Sequence, residues 1–173
     1  MATHDERHAA TLGDTAEIAM AVVDHLRGRS IGCAESLTAG RIASAIACVE
    51  GAAEFFRGSV VSYHESVKRK VLGVNAPTVF SLVAAEQMAR GATRVLEADV
   101  AVATTGVAGG TPEDGVPVGT VFIATSVEGD VRSRPHHFDG DPEAVCAAAT
   151  KQALTDLLEV LASRMEVAGA DQR

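Results

Sequence analysis

Aromatic residues are scarce: the chain has no tryptophan, one tyrosine and five phenylalanines. An aliphatic core is still available, because 47% of the 173 residues are hydrophobic and 22% are charged, the balance of one compact globular domain. Basic charge is short as well. Fifteen Lys and Arg against 23 Asp and Glu give a formal charge of -8, and the cations are scattered, so neither nucleic acid nor an anionic membrane finds an electrostatic footprint. Local binding of an anionic small molecule stays open. No apolar run approaches 18 residues and no signal-peptide pattern is seen, so no membrane partner is expected. The three cysteines, Cys33, Cys48 and Cys146, are an odd number without metal-ligand spacing, which fits a reduced cytoplasm.

What is present is an alternation of helical and strand patterns. Asp14 and Glu17 have capping-box spacing, and Ile18, Val22 and Leu26 recur every fourth residue up to Gly28, which predicts a first helix at about 15–27. "IGCA" at 31–34 reads as a short buried strand, followed by a helix from roughly Thr38 to Cys48 with Ile42, Ala45, Ile46 and Val49 on one face. "FFRGSVVSYH" reads as a strand entering a short helix around "ESVKRKVLG", and Ser81 caps a helix in "SLVAAEQMARGATRVLEA". "DVAVATT" and "GTVFIATSV" are strands on either side of a Gly- and Pro-rich loop, and the second pairs through "EGD" with "VRSRPHHF" as a hairpin. Asp141 caps the last helix, Pro142 takes its first position, where no partner is needed for the missing N–H, and Leu154, Leu157, Leu158 and Leu161 form its buried stripe. Helices between strands predict a single three-layer α/β/α domain over 13–165 with a mixed, mostly parallel sheet, flanked by flexible segments at 1–12 and 166–173.

In such sheets the natural place for a site is where strands yield to loops or helices. Three stretches qualify. In "CAESLTAG", Ser36 lies between a strand and a helix, beside backbone N–H groups able to stabilise an oxyanion or phosphate; the same position suits an ordinary helix cap. The G-x-S-x-G elbow of the α/β-hydrolases is absent. In "SVVSYHESVK", Tyr63 closes a strand and Lys68 lies about one turn into the next element. A desolvated lysine can be a base that activates a hydroxyl, whereas a solvated one is only a surface residue like Lys70. In "ATTGVAGGTPEDGVPVGTV", Gly106, Gly109 and Gly110 let backbone amides approach an anion, and Thr104, Thr105 and Thr111 add hydroxyls, but neither a Walker ending nor a G-x-G-x-x-G fingerprint is present. Glu113 and Asp114 read as solvated turn residues. His136 and His137, adjacent on a strand, point to opposite faces and do not share a metal, so neither a metal nor any other cofactor is expected. His64 reads as a surface residue and Cys33 as a small core residue.

Together these stretches resemble the nicotinamide mononucleotide deamidases, also found as the carboxy-terminal domain of the CinA (competence/damage-inducible) proteins. The family's "AESCTGG" is similar to "AESLTAG" at 34–40 and its "GGVVTYSNEAK" to "GSVVSYHESVK" at 58–68. Its "TGIAGP" and following "PVGTV" are similar to "TGVAGG" at 105–110 and "PVGTV" at 117–121, and its "FPGDREAV" to "HFDGDPEAV" at 137–145. The resemblance implies a metal-free amidohydrolase that turns nicotinamide mononucleotide into nicotinic acid mononucleotide and ammonia. By matching position, Ser36 would be the nucleophile, Lys68 the general base and Tyr63 an aid to proton transfer. Glu35, Thr38 and Gly40 would shape the substrate site, with oxyanion donors from the helix start, and Thr105, Gly106, Gly109, Gly110 and Thr111 would hold part of the nucleotide. It also implies a homo-oligomer, most simply a two-fold dimer. The chain departs from the family at Leu37 and Ala39, which add bulk beside the serine. It departs again at Glu65, a carboxylate near the lysine, and at Pro142 and Cys146, where arginine is frequent. A catalytically silent nucleotide-binding or interaction domain, or an amidase for another carboxamide, are the alternative expectations.

Overall fold

In a computed structural model, β1 (Ile31–Glu35) and β3 (Val100–Gly106) are buried along their whole length, as their apolar runs require. The backbone is described for residues 4–170 and the side chains for residues 14–165, so the flexibility expected of 1–12 and 166–173 lies outside the side chains described. The remaining elements are α1 (His4–Leu26), α2 (Arg41–Ala47), α3 (Ala52–Phe55), β2 (Phe56–Val61), α4 (Glu65–Leu72), α5 (Leu82–Leu96), β4 (Thr120–Val127), β5 (Asp130–His137) and α6 (Pro142–Ala170). The five strands form one mixed sheet in the order β2-β1-β3-β4-β5. β1 runs parallel to both β2 and β3, β4 is antiparallel to β3, and β5 reverses again, so four of the five strands point the same way.

Strand alternation divides the core into two layers. Ile31, Cys33, Val100, Val102, Val121 and Ile123 face α1, α2 and α6, which bring Val22, Leu26, Ile42, Ile46, Leu154, Leu157 and Leu161. The opposite face is built of Ala34, Ala101, Ala103 and Ala124 and is covered by α5 through Ala85, Met88, Ala89 and Ala92. Small residues on both sides bring this helix close. At Gly91 of α5 a β-carbon would stand 2.2 Å from the carbonyl oxygen of Leu72, so only glycine lets α5 lie against the end of α4.

Most predicted caps are present. Ser81 Oγ accepts from Ala84 N–H at 3.2 Å, and Asp141 Oδ1 accepts from Ala144 N–H at 2.8 Å, ahead of Pro142. Glu128 and Gly129, with φ of 53° and 91°, make the tight turn between β4 and β5. The first helix differs. It continues back to His4, so Asp14 lies inside it and no capping box forms there; the Asp14 carboxylate instead accepts from Lys151 of α6. The second helix starts at Arg41 rather than Thr38, because residues 36–40 make a tight turn that ends in two left-handed residues, Ala39 (φ 49°) and Gly40 (φ 94°). No helix among the described residues is long and apolar enough to cross a membrane.

Candidate functional site

The sheet places the ends of β1 and β3 side by side, and each strand runs into a loop at that edge. Between these loops lies a cavity of about 320 Å³. Ser36, Leu37, Tyr63, Gly106 and Gly109 line it, joined by Phe80, Val107, Ala108, Glu113, Pro142 and Cys146. Two of the three residues expected to carry chemistry, Ser36 and the largely exposed Tyr63, therefore line one cavity. The third is tied to the Tyr63 backbone. Lys68 is 1% exposed, and its Nζ donates to the carbonyl oxygen of Tyr63 at 3.1 Å. Burial holds the Lys68 ammonium below the ordinary lysine range, against the opposing pull of the Glu65 and Glu113 carboxylates.

Ser36 is not a helix cap. Gly40 is the N-cap of α2, and Ser36, a residue only 5% exposed, makes no side-chain hydrogen bond among the described residues. The capping is done by its neighbour. Glu35 is fully buried; its Oε2 accepts from the N–H groups of Gly40 (2.9 Å) and Ile42 (3.1 Å), and its Oε1 from Ala43 N–H (3.0 Å) and Ser59 Oγ (3.1 Å). Neither Glu35 nor Gly40 is among the lining residues, and the Glu35 carboxylate already occupies the N–H groups at the start of α2. The N–H groups of Leu37 and Thr38, inside the turn, make no hydrogen bond among the described residues.

Two threonines expected at the ligand are also structural. Thr38 is buried and its Oγ1 pairs with Thr104 Oγ1 at 2.8 Å, tying the serine turn to β3. Thr105, equally buried, donates to the carbonyl oxygen of Val79 at 2.7 Å. Gly106 lines the cavity, and a β-carbon there would meet Thr120 O at 2.3 Å, so this strand end has no room for a side chain. Gly109 packs on the Pro142 ring, while Gly110 and Thr111 are exposed and lie outside the lining.

The departures resolve differently from one another. Leu37 does reach the cavity, and its carbonyl accepts from the Cys146 thiol across it at 2.9 Å. Ala39 is exposed and adds nothing to the lining; its cost is backbone strain, in a left-handed position where the family motif has glycine. Burial pushes the Cys146 thiol up, which keeps it protonated as a donor. Glu65 is drawn off to Arg69 Nε at 2.7 Å. Phe80 and Glu113 were missed as lining residues. Phe80 carried no signal beyond its place before the Ser81 cap, and Glu113 reads as a turn residue until the loop is seen to fold inward.

The other candidates stay away from the cavity. His64 caps α4, its Nδ1 accepting from Ser66 N–H at 3.2 Å. His136 pairs with Asp156 of α6 at 2.8 Å, while His137, more than half exposed, faces away from it. Cys33 is buried, and desolvation holds its thiol well above the ordinary range.

The family model for the CinA C-terminal domain matches residues 15–161. Protein YdeJ of Escherichia coli K12 is 37% identical over 146 residues, 81% of this chain and 83% of that protein. A putative competence-damage inducible protein of Desulforamulus reducens is 37% identical over 132 residues, 73% of this chain but only 32% of its own length. The chain thus spans about a third of such longer relatives. Among solved structures, a competence-damaged protein (CinA) superfamily protein of Klebsiella pneumoniae superimposes with a TM-score of 0.81 at 36% identity, covering 86% of this chain and 98% of that one. The competence/damage inducible protein CihA of Agrobacterium tumefaciens gives 0.78 at 32% identity, covering 86% and 95%.

Proposed function

The chain belongs to the CinA C-terminal domain family, and on that footing we propose that it is an amidohydrolase converting nicotinamide mononucleotide to nicotinic acid mononucleotide and ammonia. The observation that supports this most is the buried Lys68, its proton affinity lowered, hydrogen-bonded to the backbone of Tyr63, which lines the same cavity as the unpartnered hydroxyl of Ser36. In this reading Ser36 Oγ attacks the carboxamide carbon while its proton passes to neutral Lys68 Nζ, with the Tyr63 hydroxyl assisting. The N–H groups of Leu37 and Thr38 receive the oxyanion. Collapse of the tetrahedral adduct breaks the C–N bond, and the lysine proton leaves with the amine as ammonia. Water then attacks the Ser36 ester, gives a proton to Lys68, and the carboxylate departs as the serine is reprotonated.

A second reading, amidase action on a different carboxamide, is favoured by one feature: among the described residues no Lys, Arg or His lines the cavity to meet a phosphate. Ammonia release from nicotinamide mononucleotide, with nicotinamide and its riboside as controls, separates the readings. Turnover of the nucleotide supports the first, and turnover of a control alone supports the second. No turnover of any of them leaves a silent nucleotide-binding or interaction domain.

A further inference from the structure

The start of α6 is fastened to the serine turn at two points. Glu143 and Cys146, three residues apart and so neighbours on one helical face, reach the two ends of the segment 37–41. The Glu143 carboxylate pairs with the Arg41 guanidinium, and the Cys146 thiol donates to the carbonyl oxygen of Leu37 at 2.9 Å. Burial keeps that thiol protonated and therefore a donor. The other two cysteines lie elsewhere: Cys33 is inside the core and Cys48 is the exposed C-cap of α2. The carbonyl that Cys146 holds belongs to the middle peptide of a β-turn. Ala39 N–H donates to Ser36 O at 3.1 Å, so Leu37 and Thr38 are the central residues, and the peptide between them is the plane whose orientation separates type I from type II turns. Thr38 does not have the positive φ that a type II turn requires at its position, so the plane has not turned over.

In a trans peptide the carbonyl and the N–H point in opposite directions, so a donor fixed on Leu37 O also fixes the direction of Thr38 N–H. A half-turn of this plane would exchange the two groups, and a carbonyl oxygen would stand where the reaction proposed above needs an N–H. We infer that Cys146 is a positioning residue: by holding the Leu37 carbonyl, its thiol keeps the turn after Ser36 in the orientation that offers Thr38 N–H, not a carbonyl oxygen, to a developing oxyanion. The oxyanion half of this assignment rests on the proposed reaction; the tether rests on the geometry alone. The tether is a neutral hydrogen bond from a weak donor, so its loss slows turnover without abolishing it.

Three substitutions in the full chain test it. Cys146→Ala and Cys146→Val remove the donor, one leaving space and the other filling it, while Cys146→Ser puts an O–H in its place. Ammonia release is followed from nicotinamide mononucleotide, or from a control carboxamide if that alone is turned over. Its kcat is expected to fall about three- to tenfold in both donorless variants, with KM within about twofold, and to return to within about twofold of the unaltered chain in Cys146→Ser. Amide hydrogen exchange of the peptide spanning residues 36–40, read by mass spectrometry, should be faster in the two donorless variants and unchanged in Cys146→Ser. A packing role predicts a different order, with Cys146→Val retaining turnover and Cys146→Ser losing it. That order, or kcat and exchange unaltered in the donorless variants, would overturn the inference. If the unaltered chain releases no ammonia, the proposed reaction and the oxyanion half fall together, and exchange alone decides the tether. Faster exchange without the donor, restored by Cys146→Ser, keeps the tether; equal exchange in all four proteins removes it.

Discussion

Lys68 is where opposing electrostatic effects meet. Desolvation lowers its proton affinity, the carboxylates of Glu65 and Glu113 raise it, and burial prevails, partly because Glu65 is engaged by Arg69. If neutral Lys68 is the base, turnover should rise with pH as Lys68 loses its proton, at a pH below the ordinary lysine range. A carboxylate favours the ammonium form, so Glu65→Gln should move that rising limb to lower pH; a pH–rate profile that stays put or moves up would contradict the assignment. Lys68→Arg, whose guanidinium stays protonated, should lower turnover by on the order of 10³-fold. Spacing alone left Lys68 as solvated as Lys70, yet its burial was partly readable: Lys68 and Leu72 are one helical turn apart and share the inward face, whereas Lys70 points away. What the sequence did not carry is how closely α4 sits on its neighbours, which is decided by Gly91 on another helix.

The turn from β1 to α2 shows why the helix cap that the local pattern allows at Ser36 does not form. A serine just before a helix satisfies the usual rule, but here the donors are reached by a side chain from inside the strand, five to eight residues back. Glu35 has the same strand parity as Ile31 and Cys33, so it points into the layer that holds α2. That parity was visible in "IGCAES"; the path of the turn that brings Gly40, Ile42 and Ala43 over the carboxylate was not. The consequence is that Ser36 is held by an element whose rigidity depends on Glu35. Glu35→Ala leaves three backbone donors and the Ser59 hydroxyl without their acceptor and should cost on the order of 3 kcal/mol in a urea unfolding experiment. A loss within the roughly 0.5 kcal/mol typical of surface substitutions would mean that the turn stands without it.

Across the whole molecule, the helix and strand alternation made the three layers legible, and the hairpin signal at Glu128 and Gly129 made the antiparallel edge legible. Strand order was not, since it depends on which way each crossover turns. The two-fold dimer rests on the family resemblance, since the described apolar faces of α1, α5 and α6 pack into the core. Among the described residues, Met20 on α1, Val61 on the edge strand β2, Val71 on α4 and Val83 and Val95 on α5 are exposed apolar side chains available to such an interface. Light scattering should give twice the chain mass, and a monomer at high concentration would count against it. The proposed chemistry turns on one hydroxyl at the end of β1. Ammonia release by folded Ser36→Ala at saturating nicotinamide mononucleotide, set against the unaltered chain, is its most direct test. Covalent catalysis predicts a loss on the order of 10³-fold or more with little change in melting temperature, whereas retention of more than about a tenth of the turnover would contradict it.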